Sequence, residues 1–209
     1  MLVNVSNHLA NYISQRTSEN HDITVLAYGL QIVLGELIKL VLIIFLAIIT
    51  NTLATTGLCL IIYIAIRKYG GGVHLSTYFR CLIFGVILLV GLGNLANIEI
   101  DSQLLIAATT FVGILGVVSI VKWVPAGTKK KVITNPEARL KQKNKTTFIL
   151  AIWLLAVVLL IKLKLNTFAL SSILGAAASF ILLTPWGYKA METLEALLDF
   201  RRKEVEKNV

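Results

Sequence analysis

Long apolar segments constrain this chain more than any other feature of its sequence. A helix needs about 20 mainly apolar residues to cross the hydrocarbon core of a bilayer. Six candidate spans lie at approximately residues 24–49, 52–66, 81–96, 104–121, 147–161 and 168–183. Several are shorter than about 20 residues, which favours modest tilt and flanking side chains that reach toward the headgroups. The pattern predicts an all-α, polytopic integral membrane protein with about six transmembrane helices.

The composition excludes an ordinary soluble domain. Apolar residues make up 56% of the 209 residues and charged residues 15%, against roughly 45–50% and 25% in an average soluble domain. Cys59 and Cys81 are too few for a disulfide framework. The three histidines lack the spacing of zinc ligands, so a structural zinc site is not expected. No cofactor is predicted. Residues 1–23 hold scattered polar and charged side chains and do not predict a cleavable signal peptide.

The distribution of positive charge predicts the orientation of the spans, because loops rich in Lys and Arg stay on the cytoplasmic side. With a cytoplasmic N-terminus and six spans, 17 of the 20 basic residues fall in cytoplasmic segments. Lys162 and Lys164 fall in an outer loop, and Lys39 lies inside the first span. Both termini are therefore predicted to be cytoplasmic. The net charge of +9 favours contact with anionic membrane lipid over nucleic-acid binding.

We predict a single membrane domain over residues 1–209, with a six-span bundle at 24–185 and a basic cytoplasmic loop at 122–145. Both ends carry the pattern of amphipathic surface helices, at 1–23 and 186–209. The apolar faces are formed by Leu2, Val5, Leu9 and Tyr12 at the first and by Met191, Leu194, Leu198 and Val205 at the second. Each helix either lies in the membrane interface or packs on the cytoplasmic ends of the bundle.

Residues 67–81, between the second and third spans, concentrate the chemically active side chains. Three consecutive glycines, Gly70 to Gly72, disfavour a regular helix there. Non-helical backbone at a membrane must be buried in protein or line a wet cavity. The segment is therefore predicted to form a pocket at the inner face of the membrane.

His74 and Cys81 within this segment are a candidate pair for thiol catalysis. The imidazole takes the thiol proton, and the thiolate attacks a carbonyl. Residues seven apart on a straight helix are about 10 Å apart along its axis, so the pair requires a break between them. Ser76 and Thr77 are good N-cap residues. A helix that begins there places Cys81 in its first turns, where the helix dipole favours a thiolate.

Neighbouring groups offer support for this chemistry. Arg67 and Arg80 add positive charge for a thiolate or a substrate carboxylate. Backbone N–H groups of Gly71, Gly72 or Val73 are candidate oxyanion donors. The residue that orients His74 is left open, and the polar groups predicted within the first span are its candidates, Gln31 and Glu36.

A plainer interpretation stands beside each of these. A lone cysteine at a membrane border is often inert or palmitoylated, and a histidine beside glycines is often a polar loop residue. Cys59, among Leu58 and Leu60, is interpreted as a buried small hydrophobic residue. Glu36 and Lys39 are three apart on a helix, so they can pair with each other or line a wet interface between spans or protomers.

The pattern Arg67-x-x-x-Gly71-Gly72-x-His74, with Cys81 seven residues on, resembles the accessory gene regulator B family. These are membrane endopeptidases of Gram-positive quorum sensing. Residues 124–131, Val-Pro-Ala-Gly-Thr-Lys-Lys-Lys, look like a second motif of that family, and residues 35–39 are a weaker match. Length, span count and motif order agree over nearly the whole chain. Val132 departs from the proline that often follows the lysine run.

The resemblance implies a cysteine endopeptidase of the bacterial cytoplasmic membrane that acts on an AgrD-type propeptide. Cys81 attacks the scissile bond, and His74 serves as base and then as acid. A propeptide cysteine then displaces Cys81 and closes a thiolactone, or a serine closes a lactone. The resemblance also implies a homodimer. Arg67, Gly71 and Gly72 have supporting roles.

The basic loop acquires a possible partner from the same resemblance. Lys129, Lys130 and Lys131 are candidates for holding the acidic tail of the propeptide. The alternative is that they enforce topology and touch anionic lipid. Glu36 and Lys39 are weaker candidates for contact with substrate.

Two other function classes stay open. Six spans would suit a non-enzymatic carrier or exporter, although the sequence shows no paired, Gly/Pro-broken segments in matching halves. A peptide-binding membrane scaffold would also fit. Replacement of Cys81 separates both from a peptidase.

Overall fold

A computed structural model describes residues 2–16, 22–73, 75–126 and 135–207, and for residues 200–207 it describes the backbone alone. These ranges form eight helices: α1 (Leu2–Arg16), α2 (Ile23–Ile49), α3 (Leu53–Gly70), α4 (Tyr78–Leu95), α5 (Ser102–Trp123), α6 (Pro136–Lys162), α7 (Asn166–Ile181) and α8 (Pro185–Lys207). Helices α2 to α6 are each long and apolar enough to cross a membrane. The prediction of an all-α, polytopic membrane protein is confirmed.

The sixth predicted span corresponds to α7, which is short. Its 16 residues extend about 24 Å at 1.5 Å per residue. After α7 the chain turns by 81° into α8, so these two helices count as a sixth span only if they are taken together as one broken element. Pro185 begins α8, and the Thr184 hydroxyl accepts a hydrogen bond from the Gly187 N–H at 3.2 Å. A proline at the first helical position is favourable because its missing N–H would have no partner there.

The chain divides into two compact units, residues 1–46 and 47–209. In the first unit, α1 confirms the predicted N-terminal helix, whose residues 2, 5, 9 and 12 share one face. Ser6 and Ala10 are its buried residues, whereas Val5 and Tyr12 are exposed.

The first unit also contains the predicted pair within α2. The Lys39 ammonium lies 2.7 Å from the Glu36 carboxylate. The pairing interpretation of these two residues is therefore supported, since each satisfies the charge of the other.

In the second unit, α7 is the central helix and packs against α3, α4, α5 and α6. Its buried positions include many small residues, namely Ala169, Ser171, Ser172, Gly175, Ala176 and Ser179. Small side chains let membrane helices approach closely. A Cβ on Gly175 would lie 2.5 Å from the Cys59 carbonyl oxygen of α3.

Hydrogen bonds reinforce this close packing. The Ser171 hydroxyl donates to the Thr55 carbonyl on α3, and the Trp153 indole of α6 donates to the Ser172 hydroxyl at 2.9 Å. Cys59 is fully buried in α3. Its interpretation as a buried small residue is confirmed.

Candidate functional site

Residues 70–72, which we call the glycine segment, end α3 as predicted. Gly70 is the last helical residue, and the Gly71 N–H closes the helix by donating to the Arg67 carbonyl at 3.0 Å. Gly71 has a φ of 79° and Gly72 a φ of 125°. These are left-handed conformations that side chains with a Cβ rarely adopt. The chain therefore leaves the helix sharply at this point.

Residues 70–72 are hydrogen-bonded to Ala126, which follows α5, and we call this backbone pairing the clasp. The Gly72 N–H donates to the Ala126 carbonyl at 3.0 Å, and the Ala126 N–H donates to the Gly70 carbonyl at 2.8 Å. A Cβ on Gly71 would collide with the Ala126 carbonyl oxygen. This pairing is an isolated parallel bridge. It brings residues 70–72 and 124–126, two motifs more than 50 positions apart, into direct contact.

The clasp corrects one expectation about oxyanion donors. The N–H groups of Gly71 and Gly72 are both engaged within the protein, with Arg67 and Ala126 as acceptors. A donor already bound to a carbonyl is not free to stabilise developing charge on a substrate. Val73 stays a prediction among the three backbone donors proposed from sequence.

Arg67 holds the loop from the end of α3. Its guanidinium donates to the Val73 carbonyl at 2.6 Å and to the Tyr63 hydroxyl at 3.1 Å. It also lies 5.4 Å from the centre of the Tyr63 ring. Burial raises the pKa of Tyr188, at the start of α8, and the positive charge of Arg67 acts in the opposite direction. Arg67 thus supports loop geometry through two fixed donors, as the planar guanidinium allows.

Cys81 lies in the first turn of α4, which confirms the predicted helix start. Thr77 is the N-cap, and its hydroxyl accepts from the Arg80 N–H at 3.4 Å. The Cys81 N–H donates to the Thr77 carbonyl at 3.1 Å. Cys81 is half-buried and packs against a small apolar cluster that includes Leu75 and Met191.

Some predicted site residues lie outside the described ranges. His74 is one of them, and Lys129, Lys130 and Lys131 are the others. Their proposed roles stay predictions. The residue after His74 is described, and Leu75 belongs to the same apolar cluster as Cys81. Gln31 and Glu36, the candidates for orienting the imidazole, belong to the first unit.

Helix α8 contributes two site residues that the sequence did not indicate. The Glu195 carboxylate accepts a hydrogen bond from the Ser76 N–H, and Asp199 pairs with the Arg80 guanidinium at 2.5 Å. Arg80 was expected to serve a thiolate or a substrate carboxylate, but it is paired within the chain. A partial signal was present, since Met191, Glu195 and Asp199 are four apart and share a face of one helix.

Two recesses lie beside groups that contact residues 67–81. An apolar groove of about 380 Å³ lies between α4, α7 and α8, and its lining includes Phe84, Leu88 and Leu194. The same three residues pack against the cluster that contacts Cys81. A second recess of about 640 Å³ borders the clasp at Ala126, and Lys122, Tyr188 and Lys189 are among the residues around it.

Chemically, the arrangement offers a half-buried thiol at the start of a helix, beside an apolar groove and a fixed loop. Within the ranges that the structure describes, acidic, histidine and cysteine side chains form no group of three or more that could hold a metal ion. Cys81 is the site's thiol, because Cys59 is fully enclosed. A thiol in such a setting can act as a nucleophile if a base lies within reach.

Comparison with known proteins gives consistent matches. A family model described as Accessory gene regulator B matches residues 6–184. Putative AgrB-like protein 2 of Clostridium perfringens (strain 13 / Type A) is 26% identical over 208 residues, which cover 94% of this chain and 97% of that protein. Accessory gene regulator protein B of Staphylococcus aureus (strain MRSA252) is 29% identical over 161 residues, which cover 76% of this chain and 83% of that protein. No solved structure matches significantly. The family match contains the glycine segment, Cys81 and Ala126, and it ends immediately before α8.

Proposed function

The chain belongs to the accessory gene regulator B family, and on that premise we propose that it is a membrane cysteine endopeptidase that cleaves and cyclises a quorum-sensing propeptide. The observation that carries the proposal is the setting of Cys81. Its thiol is half-buried in the first turn of α4, and the loop before it is fixed by the clasp to Ala126. Such a setting holds a nucleophile in place without enclosing it completely.

The first half of the reaction forms an acyl-enzyme. His74 takes the proton of Cys81, and the sulfur attacks the carbonyl carbon of the scissile peptide bond. The tetrahedral intermediate collapses when the carbon–nitrogen bond breaks. His74 returns the proton to the departing amine, which leaves with the C-terminal part of the propeptide. The N-terminal part stays attached to Cys81 as a thioester.

The second half closes the ring. A cysteine side chain within the bound peptide gives up its proton and attacks the thioester carbon. The Cys81 thiolate departs, takes up a proton and is regenerated, and the peptide leaves as a thiolactone. A serine in the same place gives a lactone. Exclusion of water favours cyclisation over hydrolysis, and the apolar groove beside the Cys81 cluster supports that condition.

The remaining parts of the proposal concern placement and partners. Positive charge favours a cytoplasmic position for the Cys81 segment and for both termini, in the bacterial cytoplasmic membrane. The substrate is an AgrD-type propeptide, whose acidic tail is held by Lys129, Lys130 and Lys131. Residues Arg67, Gly71 and Gly72 act by fixing the loop, as their contacts support. The active form is a homodimer in contact with membrane lipid.

Intact-mass analysis of the purified protein in nanodiscs, mixed with candidate propeptides, tests this proposal. We expect a thioester adduct on Cys81 and release of a macrocycle whose mass equals that of the propeptide without its tail. Cys81→Ala should lose both products, and Cys59→Ala should keep both. Cleavage that survives Cys81→Ala would refute the mechanism. Equal peptide binding by wild type and Cys81→Ala, without cleavage, would instead favour the scaffold or carrier.

A further inference from the structure

Helix α8 lies across the part of the chain that carries Cys81. Its Met191 is 6% exposed and packs with Leu75, which is 8% exposed. Leu194 packs against the same cluster, as Cys81 does. The C-terminal helix is therefore packed against the site, and one side of the Cys81 surroundings is made by α8.

Two carboxylates fasten this helix to the chain beside Cys81. Glu195 accepts a hydrogen bond from the Ser76 N–H, five positions before the cysteine. Asp199 forms an ion pair with Arg80, the residue directly before Cys81. The Arg80 side chain is only 16% exposed, whereas that of Asp199 is 60% exposed. In this ion pair Arg80 is therefore mostly covered, and Asp199 is open to solvent.

We propose that α8 is a latched cover over Cys81, with Glu195 and Asp199 as the latch. While both contacts are made, Met191 and Leu194 restrict access to the thiol. When they release, α8 moves away from α4 and a peptide can reach Cys81. The inference rests on the proposed function only in naming Cys81 as the group that must be reached.

The strength of the contacts suits a cover that opens repeatedly. An ion pair with one exposed partner contributes little to stability, and a single hydrogen bond to a carboxylate contributes modestly. Met191 and Leu194 are the side chains that α8 contributes to the apolar cluster.

The test measures how fast a bulky, water-soluble maleimide alkylates Cys81. The protein is held in nanodiscs, Cys59 is replaced by alanine so that one thiol remains, and the adduct is followed by intact mass. Replacing both latch residues, Glu195→Ala with Asp199→Ala, should raise the rate by about tenfold. Leu197→Ala, at an exposed position of α8 (61% exposed), should leave the rate unchanged. Glu99→Gln, which removes an exposed carboxylate beyond the opposite end of α4, should also leave the rate unchanged.

The pH dependence of the alkylation rate distinguishes a physical cover over Cys81 from a purely electrostatic effect on its thiol. Loss of Asp199 leaves Arg80 unpaired, and that charge alone would favour the thiolate and shift the rate curve toward lower pH. It would not raise the plateau at high pH, where the thiol is fully ionised. A cover predicts a higher plateau in the latch variant. If the latch variant reached only the same plateau as Leu197→Ala, in which the latch is intact, the proposal would be overturned.

A second measurement follows the alkylation rate as the salt concentration is raised. Salt screens an ion pair with an exposed partner, so alkylation of Cys81 in the intact latch should accelerate as salt rises. The latch variant should show no such acceleration, and an equal response in both would also overturn the cover. Alkylation does not depend on peptidase activity. Absence of propeptide cleavage together with a raised plateau would therefore refute the proposed function and leave the cover standing.

Discussion

The two cysteines lie at helix contacts of opposite character. Cys59 belongs to the contact between α3 and α7, where Gly175 brings the two backbones together and the thiol is fully enclosed. Cys81, at the start of α4, packs against an apolar cluster that α8 joins through Met191, and there the thiol is half-buried. The first contact is closed by small residues along a whole helix. The second is closed by a short apolar cluster and two carboxylates.

The difference shows how position decides what a thiol can do. Close packing against α7 leaves no room for a carbonyl to approach Cys59, so that side chain acts as a small apolar group. Cys81 follows a loop that leaves helical geometry, and its partner helix is fastened by contacts that water can compete for. Under the proposed function, Cys81 in the looser contact is the reactive thiol, and the tighter contact at Cys59 contributes to stability.

The largest effect that would sharpen this comparison is expected for Gly71→Ala. Alanine would have to adopt a φ of 79°, and its Cβ would meet the Ala126 carbonyl oxygen. Such a backbone conformation costs about 1–3 kcal/mol, and the collision forces the clasp apart. We expect propeptide processing to fall by about 100-fold, measured as macrocycle released per folded molecule.

Gly91→Ala is the matched control, because a Cβ at Gly91 within α4 meets nothing within 4 Å. Alanine has the higher helix propensity, so this variant should process normally and be at least as stable. Normal processing by Gly71→Ala would mean that the clasp does not position Cys81. The proposed reactivity of Cys81 would then depend on something other than the fixed loop.

A smaller effect is expected for Arg67→Lys. The ammonium keeps the charge but cannot reach the Tyr63 hydroxyl and the Val73 carbonyl in the fixed fork of a guanidinium. Loss of one hydrogen bond from a charged donor predicts a decrease of about tenfold in processing. Lys68→Arg, one position on, is the control and should be neutral. If Arg67→Lys processed like wild type, the charge alone would matter and the loop contacts would be incidental.

The sequence predicted the parts of the site that depend on local physics. Three glycines predicted the end of α3, and Ser76 and Thr77 predicted the helix start that places Cys81 in its first turn. Apolar length predicted the spans. A proline at 185 predicted where the sixth span closes, but the 81° turn into α8 depends on what that helix packs against.

Contacts between distant segments could not be predicted in the same way. The clasp between Gly72 and Ala126 uses backbone N–H and C=O groups. Every residue except proline carries both, so the clasp leaves no pattern in side-chain type. The contacts of Glu195 with Ser76 and of Asp199 with Arg80 each join residues 119 positions apart. Charged residues on a terminal helix are equally compatible with solvent exposure. The site's donors therefore looked free from sequence, although several have partners in the fold.

The smallest effect is expected for Cys59→Ala, and it tests the other half of the comparison. Removal of the sulfur leaves a small gap in a closed contact, which should lower stability by about 1 kcal/mol. Thermal unfolding in detergent would show the loss, and processing per folded molecule should stay within about twofold of wild type. Its control is Cys59→Val, which refills the gap but adds a methyl group beside the Gly175 backbone, so it should destabilise by overpacking. A large loss of processing in Cys59→Ala at normal stability would place a second functional thiol in the tight contact and remove the distinction between the two.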